Sequence, residues 1–115
     1  MNEFEAGLRM EGGAAVIDLS GLLDRSAEAA LGEVFGRALA AGSGPILLNF
    51  TAVDYINSTG IALIVGALAR ARTIGRTVRA FGLSAHYREI FTITRLADFM
   101  GIFDDETAAA SGTAT

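Results

Sequence analysis

The sequence predicts an α/β fold in which a mixed β-sheet is covered by helices, and three observations carry that expectation. Two-residue apolar alternation opens the chain, and apolar residues then recur at three- and four-residue spacing in segments set apart by breakers. Between those segments lies Ile46-Leu47-Leu48-Asn49-Phe50, a short and almost continuously apolar run. A strand buried on both faces reads this way, because helices hide both surfaces of a parallel sheet. With 115 residues, 51 % of them hydrophobic, the chain has material for one domain around one core.

Phe4, Ala6, Leu8 and Met10 alternate with Glu3, Glu5, Arg9 and Glu11, the pattern of a half-buried strand. Glu11-Gly12-Gly13 turns the chain, and Ala15, Ile17 and Leu19 alternate with Val16, Asp18 and Ser20 in the second strand of a hairpin that ends at Gly21. Asp24 or Ser26 caps a first helix whose stripe is Ala27, Leu31, Val34, Phe35 and Ala38, and Gly42-Ser43-Gly44-Pro45 stops it. Ile46 to Phe50 is the central strand, and Thr51 to Ile56 reads as a loop. Asn57 caps a second helix with Ile61, Ile64, Val65 and Leu68 as its core stripe and Gly75 beyond its arginine-rich end.

Thr77 to Phe81 is a further strand, broken by Gly82. A third helix carries Tyr87, Ile90 and Phe91 on one face, and Leu96, Phe99, Met100, Ile102 and Phe103 form a last apolar patch with room for a short final strand. The order is β-β-α-β-α-β-α, in which the helices are long enough to cross over between parallel strands. The domain is expected to span residues 1–107, and the small, polar stretch 108–115 reads as a disordered tail.

The net charge is −4, but the segment from Arg70 to Arg95 carries a net +5 and the remainder −9. This arginine segment is either a solvated face or a docking surface for an acidic partner; it lacks the aromatic interleaving of a nucleic-acid interface, so no nucleic-acid partner is expected. Cysteine is absent, which excludes disulfides, thiolate metal sites and cysteine nucleophiles. The opening Met1 to Glu5 has no basic n-region, and the uncharged stretch Tyr55 to Ala69 is too short to span a bilayer, so the expected location is the cytoplasm, without membrane insertion.

No catalytic constellation is visible. His86 is the only histidine, and pairing it with Ser58 and Asp54 would require a nucleophile elbow and an oxyanion hole that no motif supplies. His86 and Glu89 stand one helical turn apart, but two ligands without a third make a poor metal site. Neither Gly12-Gly13 nor Gly42-Ser43-Gly44 forms a phosphate-binding glycine pattern. Catalytic residues, metal and cofactor are therefore all expected to be none.

The informative segment is Asp54-Tyr55-Ile56-Asn57-Ser58-Thr59-Gly60-Ile61, which places two hydroxyls and a glycine where a loop enters a helix, a position whose N–H groups suit an anion. Plain helix capping explains the same residues. The segment resembles the signature of STAS domains, in which an acid, two hydrophobic residues, Asp, Ser, Ser or Thr, and Gly open the second helix. Gly21-Leu22-Leu23-Asp24 resembles the family's Gly-Glu-Leu-Asp turn, and Ser84 to Leu96 resembles its third helix.

The resemblance is to bacterial anti-sigma factor antagonists and implies the STAS fold and a non-enzymatic, protein-binding role. It implies that Ser58, rather than Thr59, receives phosphate from an anti-sigma factor that is also a GHKL-type kinase. The unphosphorylated form would bind that partner, and a PP2C-type phosphatase would reverse the modification. It sets the Gly21 to Asp24 turn beside the signature, and so implies a partner surface of Asp24, Asp54, Tyr55, Asn57, Ser58, Thr59 and Gly60, with Tyr55 either an aromatic anchor or a core residue. Three positions depart from the pattern: Asn57 replaces an aspartate, Leu22 an acid, and Arg95 a common glycine. The alternative is a STAS subunit of an ABC-type lipid transporter that docks to its ATPase without a phosphorylation cycle.

Overall fold

The computed structural model describes residues 3–112. Its elements are β1 (Glu5–Glu11), β2 (Ala14–Leu23), α1 (Glu28–Ala40), β3 (Ile46–Ile56), α2 (Ser58–Thr73), β4 (Val78–Phe81), α3 (Ala85–Ile93), β5 (Gly101–Phe103) and α4 (Glu106–Ser111). The five strands lie in sequence order; β1 runs antiparallel to β2, and β2 to β5 are parallel. This is the mixed α/β sheet expected, with the short final strand present.

Local chemistry explains the frame. Gly12 and Gly13 both have positive φ, 54° and 88°, as a two-residue turn that follows strand twist requires, and they set Glu11 opposite Ala14. β3 sits in the middle of the sheet, so Ile46 and Leu48 face one layer while Leu47 faces the other, each at most 1 % exposed. The larger core gathers Ile17, Leu23, Phe35, Leu48, Ile64 and Phe91 under α1, α2 and α3; a smaller one of Val16, Leu47, Phe81, Phe103 and Ala109 lies on the opposite face.

Four expectations are corrected. Thr51 to Ile56 is strand, not loop, because β2 runs on to Leu23 and offers parallel pairing as far as Leu23 opposite Ile56, across two register shifts. The buried positions of α2 are Gly60, Ile64, Ala67, Leu68 and Ala71, while Val65 is 49 % exposed: small residues let the helix sit close to the sheet and turn Val65 outward. Phe99, assigned to the last apolar patch, is 60 % exposed.

The fourth correction concerns the tail. Residues 106–111 form α4, capped by the Asp105 side chain on the Ala108 N–H (2.9 Å) and packed through fully buried Ala109 onto the second sheet face. Arg9 holds its start: its guanidinium donates to both carboxylate oxygens of Glu106 (2.9 and 2.6 Å) and to both of Asp18 (2.7 and 3.1 Å). The ordered domain therefore continues past residue 107, and 113–115 lie outside the described residues.

Candidate functional site

The junction of β3 with α2 is built from backbone approach. Asn57 is extended, and its side chain accepts a hydrogen bond from the Gly60 N–H at 2.9 Å, capping α2. The first i→i−4 bond runs from the Ile61 N–H to the Asn57 carbonyl (3.0 Å), which leaves the Ser58 and Thr59 amides ahead of the helical ladder. A Cβ at Gly60 would lie 1.9 Å from the Leu23 carbonyl oxygen, so only glycine lets the helix start there. That same oxygen accepts the Asn57 N–H at 3.3 Å. The end of β2 is thus locked against the first turn of α2.

This lock carries Asp24 to the helix entrance. Asp24 accepts hydrogen bonds from the backbone N–H (2.9 Å) and hydroxyl (2.6 Å) of Ser26, opening the 3-10 turn Arg25–Ala27 that packs against α2. Asp24 therefore caps that turn and not α1, the helix that Asp24 or Ser26 was expected to cap, which begins after Ala27 without a side-chain cap. Ser58 and Asp54 are exposed, Thr59 and Asn57 half-buried, and Gly60 buried. Tyr55 is 51 % exposed, opposite Leu22 in the sheet register, which excludes the core role and leaves its ring to the surface. The structure brings the end of β2 and the entrance of α2 together as one surface.

One contributor was missed from the sequence. The Tyr87 hydroxyl accepts the Ile56 N–H at 2.9 Å and fixes the last residue of β3 against α3, beside a cavity of about 270 Å³ lined in part by Phe50, Val53 and Leu83. The available signal was a tyrosine on the buried face of an amphipathic helix, whose polar tip requires a partner. His86 is exposed on α3, its ring 4.9 Å from that of Tyr87.

The arginine segment is mostly committed within the fold. Arg76 donates to the carbonyls of Leu39, Gly42 and Gly44 (each 2.9 Å), neutralising the C-terminal end of α1. Arg79 donates to the carbonyls of Ala109 and Ala110, Arg70 to that of Gly32, and Arg88 and Arg95 pair with Asp104 and Asp98. Among the described residues no helix is long and apolar enough to cross a membrane.

The family model described as Mlab, STAS domain, matches residues 6–102. No curated protein matches the chain by sequence. Among solved structures, an anti-sigma factor antagonist from Mycobacterium paratuberculosis superposes with a TM-score of 0.77 at 19 % identity, covering 96 % of this chain and 93 % of that one. The phosphorylated form of the Bacillus cell fate determinant SpoIIAA gives 0.68 at 22 % identity, covering 94 % and 99 %. A sulfate transporter family protein from Wolinella succinogenes gives 0.76 at 15 % identity, covering 90 % and 87 %. At these identities the structural likeness establishes the fold.

Proposed function

Because the chain belongs to the STAS-domain family, matched from residue 6 to 102, we propose that it is an anti-sigma factor antagonist working by phosphorylation-controlled partner switching. It binds an anti-sigma factor that is also a GHKL-type kinase while Ser58 is unmodified, and a PP2C-type phosphatase restores that state. It acts by binding and catalyses nothing. The observation that supports this reading best is Ser58 itself, an exposed hydroxyl on the first residue of α2, ahead of the helical hydrogen-bond ladder.

Phosphate there adds about −1.5 to −2 of charge, where the amide groups and dipole of α2 accommodate it. The same charge falls on the surface that holds Asp24, Asp54 and Tyr55, so an interface shaped for a neutral hydroxyl would meet like-charge repulsion and a desolvation cost. Tyr55 is the proposed anchor, and Thr59, half-buried and β-branched, is the poorer phosphate acceptor.

Asn57 favours a second reading. It keeps the cap but not the charge of the family's aspartate, which suits a STAS subunit that docks permanently to the ATPase of an ABC-type lipid transporter. One experiment separates the two. The chain is used as bait in the cytoplasm of its source, the retained kinase or ATPase is identified, and any kinase is then incubated with the chain and ATP for site mapping. Phosphate on Ser58, lost in Ser58→Ala and kept in Thr59→Ala, supports switching. Modification confined to Thr59 overturns the site, and retention of a transporter ATPase without phosphate transfer favours the second reading.

A further inference from the structure

At the far end of α2 an open cleft of about 1010 Å³ runs between that helix and the segment joining α3 to β5. Buried Leu68, Leu96 and Met100 contribute apolar floor, and Val65 and Phe99, 49 % and 60 % exposed, stand at its edge. Four arginines but only one acid, Asp98, line it. Arg76 and Arg79 are tied to backbone carbonyls, as described above, and neither makes an ion pair among the described residues. The Arg72 guanidinium lies 5.6 Å from the centroid of the Phe99 ring and makes no ion pair among the described residues.

Arg95 completes the rim. It is the only non-glycine residue with positive φ among those described, at 67°, and its side chain is 80 % exposed with Asp98 as its single acidic neighbour. A residue with a Cβ is disfavoured in this region, and glycine relieves the strain. The fold thus tolerates a strained backbone at a position that adds a further exposed cation to the cleft lining.

We infer that this cleft is a second docking site, which takes an acidic segment of a partner protein carrying an apolar anchor. Charge complementarity selects the occupant: an anchor covers Val65 and Phe99, while acids meet Arg72 and Arg95. A bilayer fits less well, since a flat surface does not reach a floor between two walls and the chain's net charge of −4 opposes anionic lipid. Ser58 and Arg72 stand on one helix, about 20 Å apart at its ordinary rise. That exceeds the screening length of about 8 Å in physiological salt, so the cleft does not sense phosphate at Ser58. A partner held here would stay tethered through the cycle, and the inference does not rest on Ser58 being modified.

The test uses the whole chain, labelled with ¹⁵N, and a fluorescent peptide in which Glu and Asp alternate with Leu and Phe at helical spacing. Controls are the same peptide with Lys for every acid, and phosphatidylglycerol vesicles. The acidic peptide is expected to bind and to shift the amides of Val65, Ala69, Arg72, Arg95 and Phe99. Arg72→Glu and Phe99→Ser are each expected to weaken it about tenfold, with the thermal melt unchanged. Arg37→Glu on exposed α1 surface and Ser58→Asp should leave affinity within about twofold. Absence of binding at millimolar peptide, equal binding of the lysine peptide, shifts centred on Tyr55 and Ser58, or vesicle adsorption in place of peptide binding would each overturn the inference.

Discussion

Gly60 is the residue on which the entrance to α2 turns, because the Leu23 carbonyl occupies the place of a Cβ. Gly60→Ala forces backbone against backbone, and overpacking of that kind costs about 3 kcal/mol, which urea denaturation would register as a lower midpoint at unchanged slope. At Asn57 the outcome depends on the replacement. Asn57→Ala removes the acceptor of the Gly60 N–H and is expected to cost about 1 kcal/mol. Asn57→Asp keeps the acceptor and adds a charge favourable to the helix N-terminus, so stability should hold or rise by about 0.5 kcal/mol. These side-chain roles were legible in the sequence, since Asn before Ser-Thr-Gly is capping chemistry whatever surrounds it. The Leu23 carbonyl was not, because a main-chain oxygen carries no sequence signal and its partner lies far along the chain. Exposure of Tyr55 was equally hidden: alternation fixes which side of a strand a residue faces, not whether a helix covers that side.

At the scale of elements, α4 depends on its attachments, for a helix of this length does not persist alone in water. Three attachments are visible: Ala109 on the second sheet face, the clamp of Arg9 between Asp18 and Glu106, and Arg79 on the carbonyls of Ala109 and Ala110. Hydrogen bonds from Arg9 hold both carboxyls below their ordinary values of 3.8 and 4.5, and Asn49 assists at Asp18. Groups lowered in this way stabilise the fold above their unfolded values, and the contribution disappears as pH falls through the lower folded ones. The effect is modest because these side chains are about 35 to 43 % exposed and solvent screens them. As pH falls below those ordinary carboxylate values, protection factors against hydrogen exchange at the amides of α4 should therefore drop before those of β2 and β3. Ala109→Glu should release α4 even at neutral pH while the central strands stay protected, with exposed Ala110→Glu as the silent control. The sequence concealed α4 because an alanine run without apolar periodicity resembles a loose tail. The clue lay elsewhere: Leu47 needs cover on the face opposite Ile46 and Leu48, and Asp105-Glu106 can cap what supplies it. Long elements with a strong period were readable; the extension of β3 was not, because Thr51 to Ile56 becomes strand only through its pairing with β2.

Across the whole molecule, α2 presents its N-terminal entrance at one end and the arginine-rimmed cleft at the other, while four parallel strands fix both ends to one rigid sheet. That arrangement determines what a phosphate at Ser58 can change. The charge enters at the first residue of α2, where the Ser58 and Thr59 amides lie outside the ladder and the helix dipole favours an anion by about 0.5 to 1 kcal/mol. Repulsion from exposed Asp54 and from Asp24 opposes that gain through solvent, where screening makes such terms small. The junction beneath is held by the Asn57 cap, the Leu23 carbonyl and the Tyr87 hydroxyl, none of which needs the serine side chain. Phosphoserine placed at position 58 should therefore leave the melting temperature unchanged or raise it by at most about 4 °C, the shift that 1 kcal/mol gives in a domain near this size. Amide shifts should be confined to the start of α2 and to Leu23 and Asp24, sparing Arg72 and Phe99. Binding to the kinase partner, if lost in that same sample, is then lost through surface charge. A melt lowered by many degrees, or shifts spreading through β3 and β4, would mean instead that modification loosens the junction, and that release of the partner follows from damage to the fold.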